Sequence, residues 1–135
     1  MEDLWCEFSA RYHLPIEALV RDGILNEEIY RKVRLKILFV LKEANSDTGY
    51  DLCEFLKDRP HFQTWFAVAR WAAGLTNGFP DFDVVNEKEL WRKAFKGVAA
   101  INLKKTPGGR VAVQSEIERN ADLTKDILRR QIKEI

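Results

Sequence analysis

Lys36-Ile-Leu-Phe-Val-Leu41 is a short, continuous apolar run that polar residues end abruptly. It is rich in branched and aromatic residues, which predicts a β-strand and not the surface of a helix. A strand with one face in water would alternate apolar and polar residues, whereas a parallel strand covered by helices is apolar throughout. We therefore expect this strand to be buried on both faces of a parallel sheet.

A second run of the same kind, Gly97-Val-Ala-Ala-Ile-Asn-Leu103, follows after a long helical stretch. Between the two runs, the sequence predicts helices over 52–57, 62–75 and 87–95. A connection of this length suits a crossover between parallel strands and not a hairpin. The fold class predicted is α/β, as a single three-layer domain over 1–135 in which helices flank a parallel sheet.

Further helices are predicted outside the two runs, over 3–12 and 15–21, and from an Asn26 cap to about Val33. Ser115 and Glu118 have the spacing of a capping box and predict one last helix. This helix ends where another strand would be expected, so we expect a domain truncated after its second βα unit. In the helix 62–75, one apolar stripe is expected to be core: Phe62, Trp65, Phe66, Ala69, Ala72 and Ala73.

The composition, with 46% apolar and 32% charged residues, is typical of a folded, water-soluble domain. The net charge is only +1, so nucleic-acid binding would need a local basic patch. Cys6 and Cys53 suggest neither a disulfide framework nor a metal site. No apolar run approaches the roughly 20 residues that span a bilayer. We expect a cytoplasmic protein with no membrane partner.

Polar residues follow each apolar run, where open parallel sheets bind their ligands. The loop after Leu41 carries Glu43 and Asn45, and Asn102 begins the polar segment after Ile101. A carboxylate, amides and nearby cations suit hydrolysis of a bond in a nucleotide. We expect no metal and no cofactor, because the chain has no zinc-ligand spacing and no phosphate-binding glycine motif.

These two segments resemble the uracil-DNA glycosylase superfamily. Residues 38–46, Leu-Phe-Val-Leu-Lys-Glu-Ala-Asn-Ser, look like its first strand and motif. Ala100-Ile-Asn-Leu-Lys-Lys-Thr-Pro-Gly-Gly-Arg110, with a later Gln131-Ile132, is similar to the Thr-Asn-Val-Val-Lys-Cys-Arg-Pro-Pro stretch of thermophilic-type members and the helix that follows it. The resemblance covers roughly residues 34–135. It implies a protein that flips a base out of DNA and hydrolyses the N-glycosidic bond of uracil or another deaminated base.

The resemblance also implies roles for individual residues. Glu43 falls at the acidic position that helps to activate the attacking water, and Asn102 falls at the base-recognition asparagine. Tyr50 and Asn45 are the further candidates for contact with a flipped base. The candidates for binding DNA phosphates are Lys105, Gly108, Gly109 and Arg110.

Each of these residue types also has an ordinary structural use. Glu43 could cap a turn, or could pair with Lys42 or Lys105. Asn102 could satisfy the backbone of its own loop, because an amide that interrupts an apolar strand must be hydrogen-bonded. A Pro-Gly-Gly turn with solvated lysines would explain the second loop without any ligand.

The sequence departs from the family pattern at three points. Thr106 stands where thermophilic-type enzymes carry a cysteine that binds an iron–sulfur cluster, so no cluster is expected. Asn45 and Ser46 replace the Pro-Gly of the first motif. The histidine-containing later motif would lie beyond residue 135. Two alternatives therefore stay open: a relative that binds nucleic acid or nucleotides without catalysis, and a domain that shares only the fold.

Overall fold

The computed structural model describes residues 2–135 and has a mixed α/β fold with several helices and two small sheets. The helices are α1 (Glu2–Tyr12), α2 (Glu27–Lys32), α3 (Leu52–Leu56), α4 (Phe62–Thr76), α5 (Phe82–Val85), α6 (Lys88–Lys96), α7 (Gln114–Leu123) and α8 (Lys125–Glu134). The strands are β1 (Val20–Arg21), β2 (Gly23–Ile24), β3 (Ile37–Leu41), β4 (Tyr50–Asp51) and β5 (Val98–Asn102). None of the described helices is long and apolar enough to cross a membrane.

The larger sheet has the strand order β2-β5-β3, so the two predicted strands are neighbours. Every residue of β5 is buried, which confirms the prediction for the second apolar run. The prediction was wrong for β3, because Val40 is 52% exposed. Within residues 2–135, β3 lies at the edge of its sheet, and an edge strand lacks a neighbour on one side.

The chain segments that follow β3 and β5 remain paired beyond the strands. The amide of Leu103 donates to the carbonyl of Leu41, and the amide of Lys104 donates to the carbonyl of Lys42. Farther along, Asn45 and Gly108 form a parallel bridge. The residue numbers of the partners increase together, so the two loops run in the same direction away from the sheet.

The predicted helix over 15–21 was wrong. Only Ile16–Ala18 form a helical turn, of the 3-10 type, and β1 and β2 follow it. β1 pairs in parallel with β4, and the Val20 amide donates to the carbonyl of Lys105. These hydrogen bonds to distant segments favour an extended backbone, and such tertiary contacts override local helix propensity.

The other helix predictions are confirmed in large part. Asn26 caps α2 by accepting a hydrogen bond from the Ile29 amide. α4 agrees closely with the predicted helix over 62–75, but Phe62 lies outside the core and is largely exposed. The capping box is wrong, since α7 already begins at Gln114, and the chain breaks at Thr124 where one continuous helix was expected.

The residues group into two compact units, each built from separate stretches of the chain. Unit 1 comprises 1–23, 40–52 and 101–135, and unit 2 comprises 24–39 and 53–100. The core of unit 1 is a cluster of apolar side chains from α1, α8 and the segment before β1: Leu4, Phe8, Leu19, Ile127 and Leu128. In unit 2, α4 packs on α6 through edge-to-face ring pairs, Trp65 with Phe95 and Phe66 with Trp91.

Candidate functional site

The loops after β3 and β5 meet in unit 1, and a nearly buried ion pair joins them. The Nζ of Lys104 lies 2.6 Å from Oε2 of Glu43, and the two side chains are 11% and 5% exposed. Glu116 of α7 also approaches the Lys104 ammonium, at 3.6 Å. Glu43 therefore pairs with a lysine, as in one of the structural alternatives, but its partner is Lys104 and not Lys42 or Lys105.

Gly108 is packed directly against the Glu43 carboxyl group. A Cβ atom at this position would overlap the carboxyl carbon and both carboxyl oxygens. The Gly108 amide donates to Ala44, and its carbonyl accepts from the amide of Ser46. The backbone of Gly108 thus fixes the first loop, and the missing side chain makes room for the carboxylate.

The second feature of unit 1 is a buried polar network centred on Asp22, a residue that the sequence did not single out. Oδ1 of Asp22 lies 2.6 Å from Nζ of Lys105, and both side chains are completely buried. Oδ2 accepts hydrogen bonds from the amide and from Nδ2 of Asn102, at 2.7 and 3.1 Å. A buried carboxylate costs less free energy when it is paired and hydrogen-bonded in this way.

Gln131 of α8 completes this network. Its Nε2 donates to the Asp22 carbonyl at 3.1 Å and to Oδ1 at 2.9 Å. Its Oε1 is buried and has no hydrogen-bond partner within residues 2–135. Gln131 belongs to the Gln-Ile pair that carried part of the resemblance, and its hydrogen bonds to Asp22 give this glutamine a structural use.

Two of the predicted contact residues are held inside this network. Asn102 is buried, and its side-chain amide donates to Asp22. Lys105 directs its ammonium inward, 5.3 Å from the ring centroid of Phe8 and 5.6 Å from that of Trp5. In this conformation Lys105 presents no charge to the solvent, so the basic surface of the second loop is smaller than its sequence indicates.

Tyr50, the candidate for stacking on a base, is half-buried at the start of β4. Burial raises the pKa of its phenol above the ordinary value, and the negative charge of Asp22 raises it further. Burial likewise raises the pKa of Tyr12, whose hydroxyl accepts a hydrogen bond from the Lys105 amide. Tyr50 thus lies near the Asp22 network, with part of its surface open to the solvent.

The remaining predicted residues lie at the surface of unit 1. Asn45, Gly109 and Arg110 are exposed, and so is Lys42, which directly precedes Glu43 in the sequence. No atom outside the neighbouring residues lies closer than 3.9 Å to a Cβ built at Gly109. Among residues 2–135, no group of three or more His, Cys, Asp or Glu side chains is arranged to hold a metal ion.

Sequence reasoning missed Asp22 because its neighbourhood carries only one weak signal. It stands alone between Arg21 and Gly23, outside the two loops that the strand-end rule selects. The only available signal was the apolar surroundings of a single carboxylate. Comparison of this chain with protein-family models, with curated proteins and with solved structures found no match.

Proposed function

We propose that this chain is a DNA base-excision glycosylase-like protein of the uracil-DNA glycosylase type, with that family's three-layer α/β fold, acting in the cytoplasm. In this proposal, Glu43 is the catalytic carboxylate that activates water against an N-glycosidic bond. The support comes from the resemblance of the two loops together with the position of Glu43. No metal or cofactor enters the proposed reaction.

The observation that carries the proposal is that the two carboxyl oxygens of Glu43 differ in their hydrogen bonding. Lys104 anchors Oε2, whereas Oε1 has no hydrogen-bond partner within residues 2–135. Gly108 limits movement of the carboxyl group from the other side. A carboxylate with one anchored oxygen and one available oxygen is well suited to orient a water molecule.

The chemistry that we assign to Glu43 is hydrolysis by proton abstraction. The water oxygen bonds to C1′ of the sugar while the C1′–N bond breaks, and the nitrogen keeps the electron pair of that bond. The water proton passes to Oε1 of Glu43, and the departing base takes a proton from the solvent. The negative charge of Glu43 also stabilises the positive charge that develops on the sugar.

A base-release assay tests this proposal. The chain is incubated with single- and double-stranded oligonucleotides that contain uracil or hypoxanthine, and the freed base is measured. Glu43→Gln should lower the rate by about 100-fold or more, because the amide cannot accept the proton. Glu89→Gln, at an exposed position of α6, is the matched control and should leave the rate unchanged.

Two glycine variants test whether the position of the carboxylate matters. Gly108→Ala inserts a methyl group where the Glu43 carboxylate lies and should lower the rate of base release. Gly74→Ala, in α4 of unit 2, meets only ordinary van der Waals contacts with the Phe79 ring and should retain it. Equal rates for the two variants, or base release that survives Glu43→Gln, would contradict a catalytic role for Glu43.

A second candidate function, nucleic-acid binding without catalysis, is favoured by the engagement of Asn102 and Lys105 with Asp22. The exposed Lys42 and Arg110 would then contact phosphates. DNA affinity should fall with rising salt, and Arg110→Gln should reduce the salt dependence by about one phosphate contact. Salt-dependent binding that is unaffected by Glu43→Gln, with no base released from any substrate, would replace the first proposal by this one.

A further inference from the structure

Unit 2 contains a cavity of about 680 Å³ that takes no part in the proposed function. We call it the aromatic cavity. The residues that line it include Phe39, Arg70, Trp71, Phe79, Phe82 and Val85. All of them belong to unit 2. Its volume lies within the range of about 300–1,000 Å³ that is usual for small-molecule sites.

Large rings line this cavity and are open to the solvent. Trp71 stacks on Phe39 with their centroids 6.4 Å apart, yet most of the Trp71 side chain is exposed. Phe79 is 72% exposed, and Phe82 is exposed to a similar degree. Several aromatic rings surround one concave surface. Covering this surface with another apolar group lowers the free energy, because apolar area is removed from water.

The backbone holds Phe79 in an unusual conformation at the rim of the cavity. Its φ angle is +56°, in the left-handed region that bulky side chains rarely adopt. The Phe79 amide donates to the carbonyl of Gly74 at 2.8 Å, which ties the loop after α4 back onto that helix. Strain of this kind is concentrated at functional positions. Here it places an exposed ring at the rim, where it does not contribute to a buried core.

Arg70 supplies a positive charge to this apolar lining. It is half-buried, and its Nε donates to Oδ1 of Asn86 at 2.8 Å. The two terminal nitrogens of the guanidinium have no hydrogen-bond or ion-pair partner within residues 2–135. Arg70 is also the only charged residue among those that line the cavity in the described chain. The terminal nitrogens of a guanidinium bind a planar carboxylate through two parallel hydrogen bonds.

We propose that the aromatic cavity binds a small amphipathic anion, of the class of aryl carboxylates. The flat apolar part of the ligand packs among Trp71, Phe79 and Phe82, and its carboxylate bonds to the terminal nitrogens of Arg70. The single cation of the lining provides the charge complementarity, and the stacked rings select a planar body. This site lies wholly within unit 2 and does not depend on the function proposed for Glu43.

Calorimetric titration with 2-naphthoate tests the proposal. Its uncharged amide, 2-naphthamide, has nearly the same shape and serves as the matched ligand. The chain should bind the carboxylate about tenfold more tightly than the amide, and Arg70→Gln should remove this difference. Arg119→Gln, at an exposed position of α7 in unit 1, is the matched control and should keep the preference.

Phe82→Ala provides an independent test, because it shortens an exposed side chain and should leave the thermal unfolding midpoint almost unchanged. It should weaken binding of both ligands to a similar extent, since both use the same apolar wall. Equal affinity for 2-naphthoate and 2-naphthamide in the unmodified chain would overturn the proposal. So would the absence of binding, or self-association of the chain through this surface that blocks the ligand.

Discussion

Asp22 and Lys105 form an ion pair in the interior of unit 1, and burying it costs solvation free energy. Both side chains are completely buried, and each removes a charge from water. Attraction between the charges repays this desolvation only when the remaining polar atoms are also hydrogen-bonded. Asn102 and Gln131 supply those hydrogen bonds to the carboxylate. The side chains that surround Asp22 therefore stabilise unit 1 as a set.

Replacing Asp22 by asparagine should strongly destabilise the chain. The Lys105 ammonium would remain buried without a counter-charge, which costs about 3–5 kcal/mol in comparable cases. Urea unfolding followed by circular dichroism gives the free energy of unfolding. Asp126→Asn is the control, because its ion pair with Arg11 is exposed and should contribute little. A small effect of Asp22→Asn would contradict a major contribution of this ion pair to stability.

At the scale of single residues, the sequence predicts which positions follow a strand but not which side chains pair. The sequence correctly marked Glu43 and Gly108 as neighbours of two strand ends, because strand position follows from apolar patterning. It could not pair Glu43 with Lys104, since the choice among Lys42, Lys104 and Lys105 depends on side-chain direction. It could not find Asp22, because the partners of a buried carboxylate are set by tertiary packing.

At the scale of the elements, β3 and β5 both come from continuous apolar runs, but their environments differ. Their apolar runs predicted two strands correctly, and an edge position cannot be read from such a run. The prediction of a helix over 15–21 was wrong for a related reason. β1 is stabilised by its pairing with the distant strand β4, which local sequence does not reveal. Local patterning predicted α2 and α4 well, since an N-cap and an apolar stripe are local signals.

This difference between the strands predicts different responses to truncation. Ile101→Ala in β5 should cost about 2–5 kcal/mol of unfolding free energy, because the side chain is completely buried. Val40→Ala in β3 should cost below about 1 kcal/mol, because half of its side chain already contacts solvent. Urea unfolding of the two variants measures both values. Equal losses would indicate that Val40 is covered in solution.

At the scale of the whole molecule, the tyrosines share one property. Burial raises the pKa of Tyr12, Tyr30 and Tyr50 above the ordinary value near 10. These are all the tyrosines of the chain. The folded state thus favours the protonated phenols. Their contribution to stability is fully present below the pKa of the unfolded chain and is lost as pH rises through the higher pKa of the folded state.

Alkaline titration checks this prediction through the ultraviolet absorbance of tyrosinate. In the native chain, the midpoint should lie above the midpoint near 10 that is measured for the same chain in concentrated urea. The free energy of unfolding should decrease as pH rises above about 10. Coincident titration curves for the native and unfolded chains would show that the phenols are accessible to solvent.

The Asp22 network also bears on how the chain is made. Asp22 is separated by 80 residues from Asn102, by 83 from Lys105 and by 109 from Gln131. Synthesis proceeds from the N-terminus, so every segment of unit 2 has been translated before the last two of these partners leave the ribosome. Until then, Asp22 remains a hydrated carboxylate on a nascent chain. The Asp22 network therefore cannot be completed before Gln131 of α8 has been synthesised.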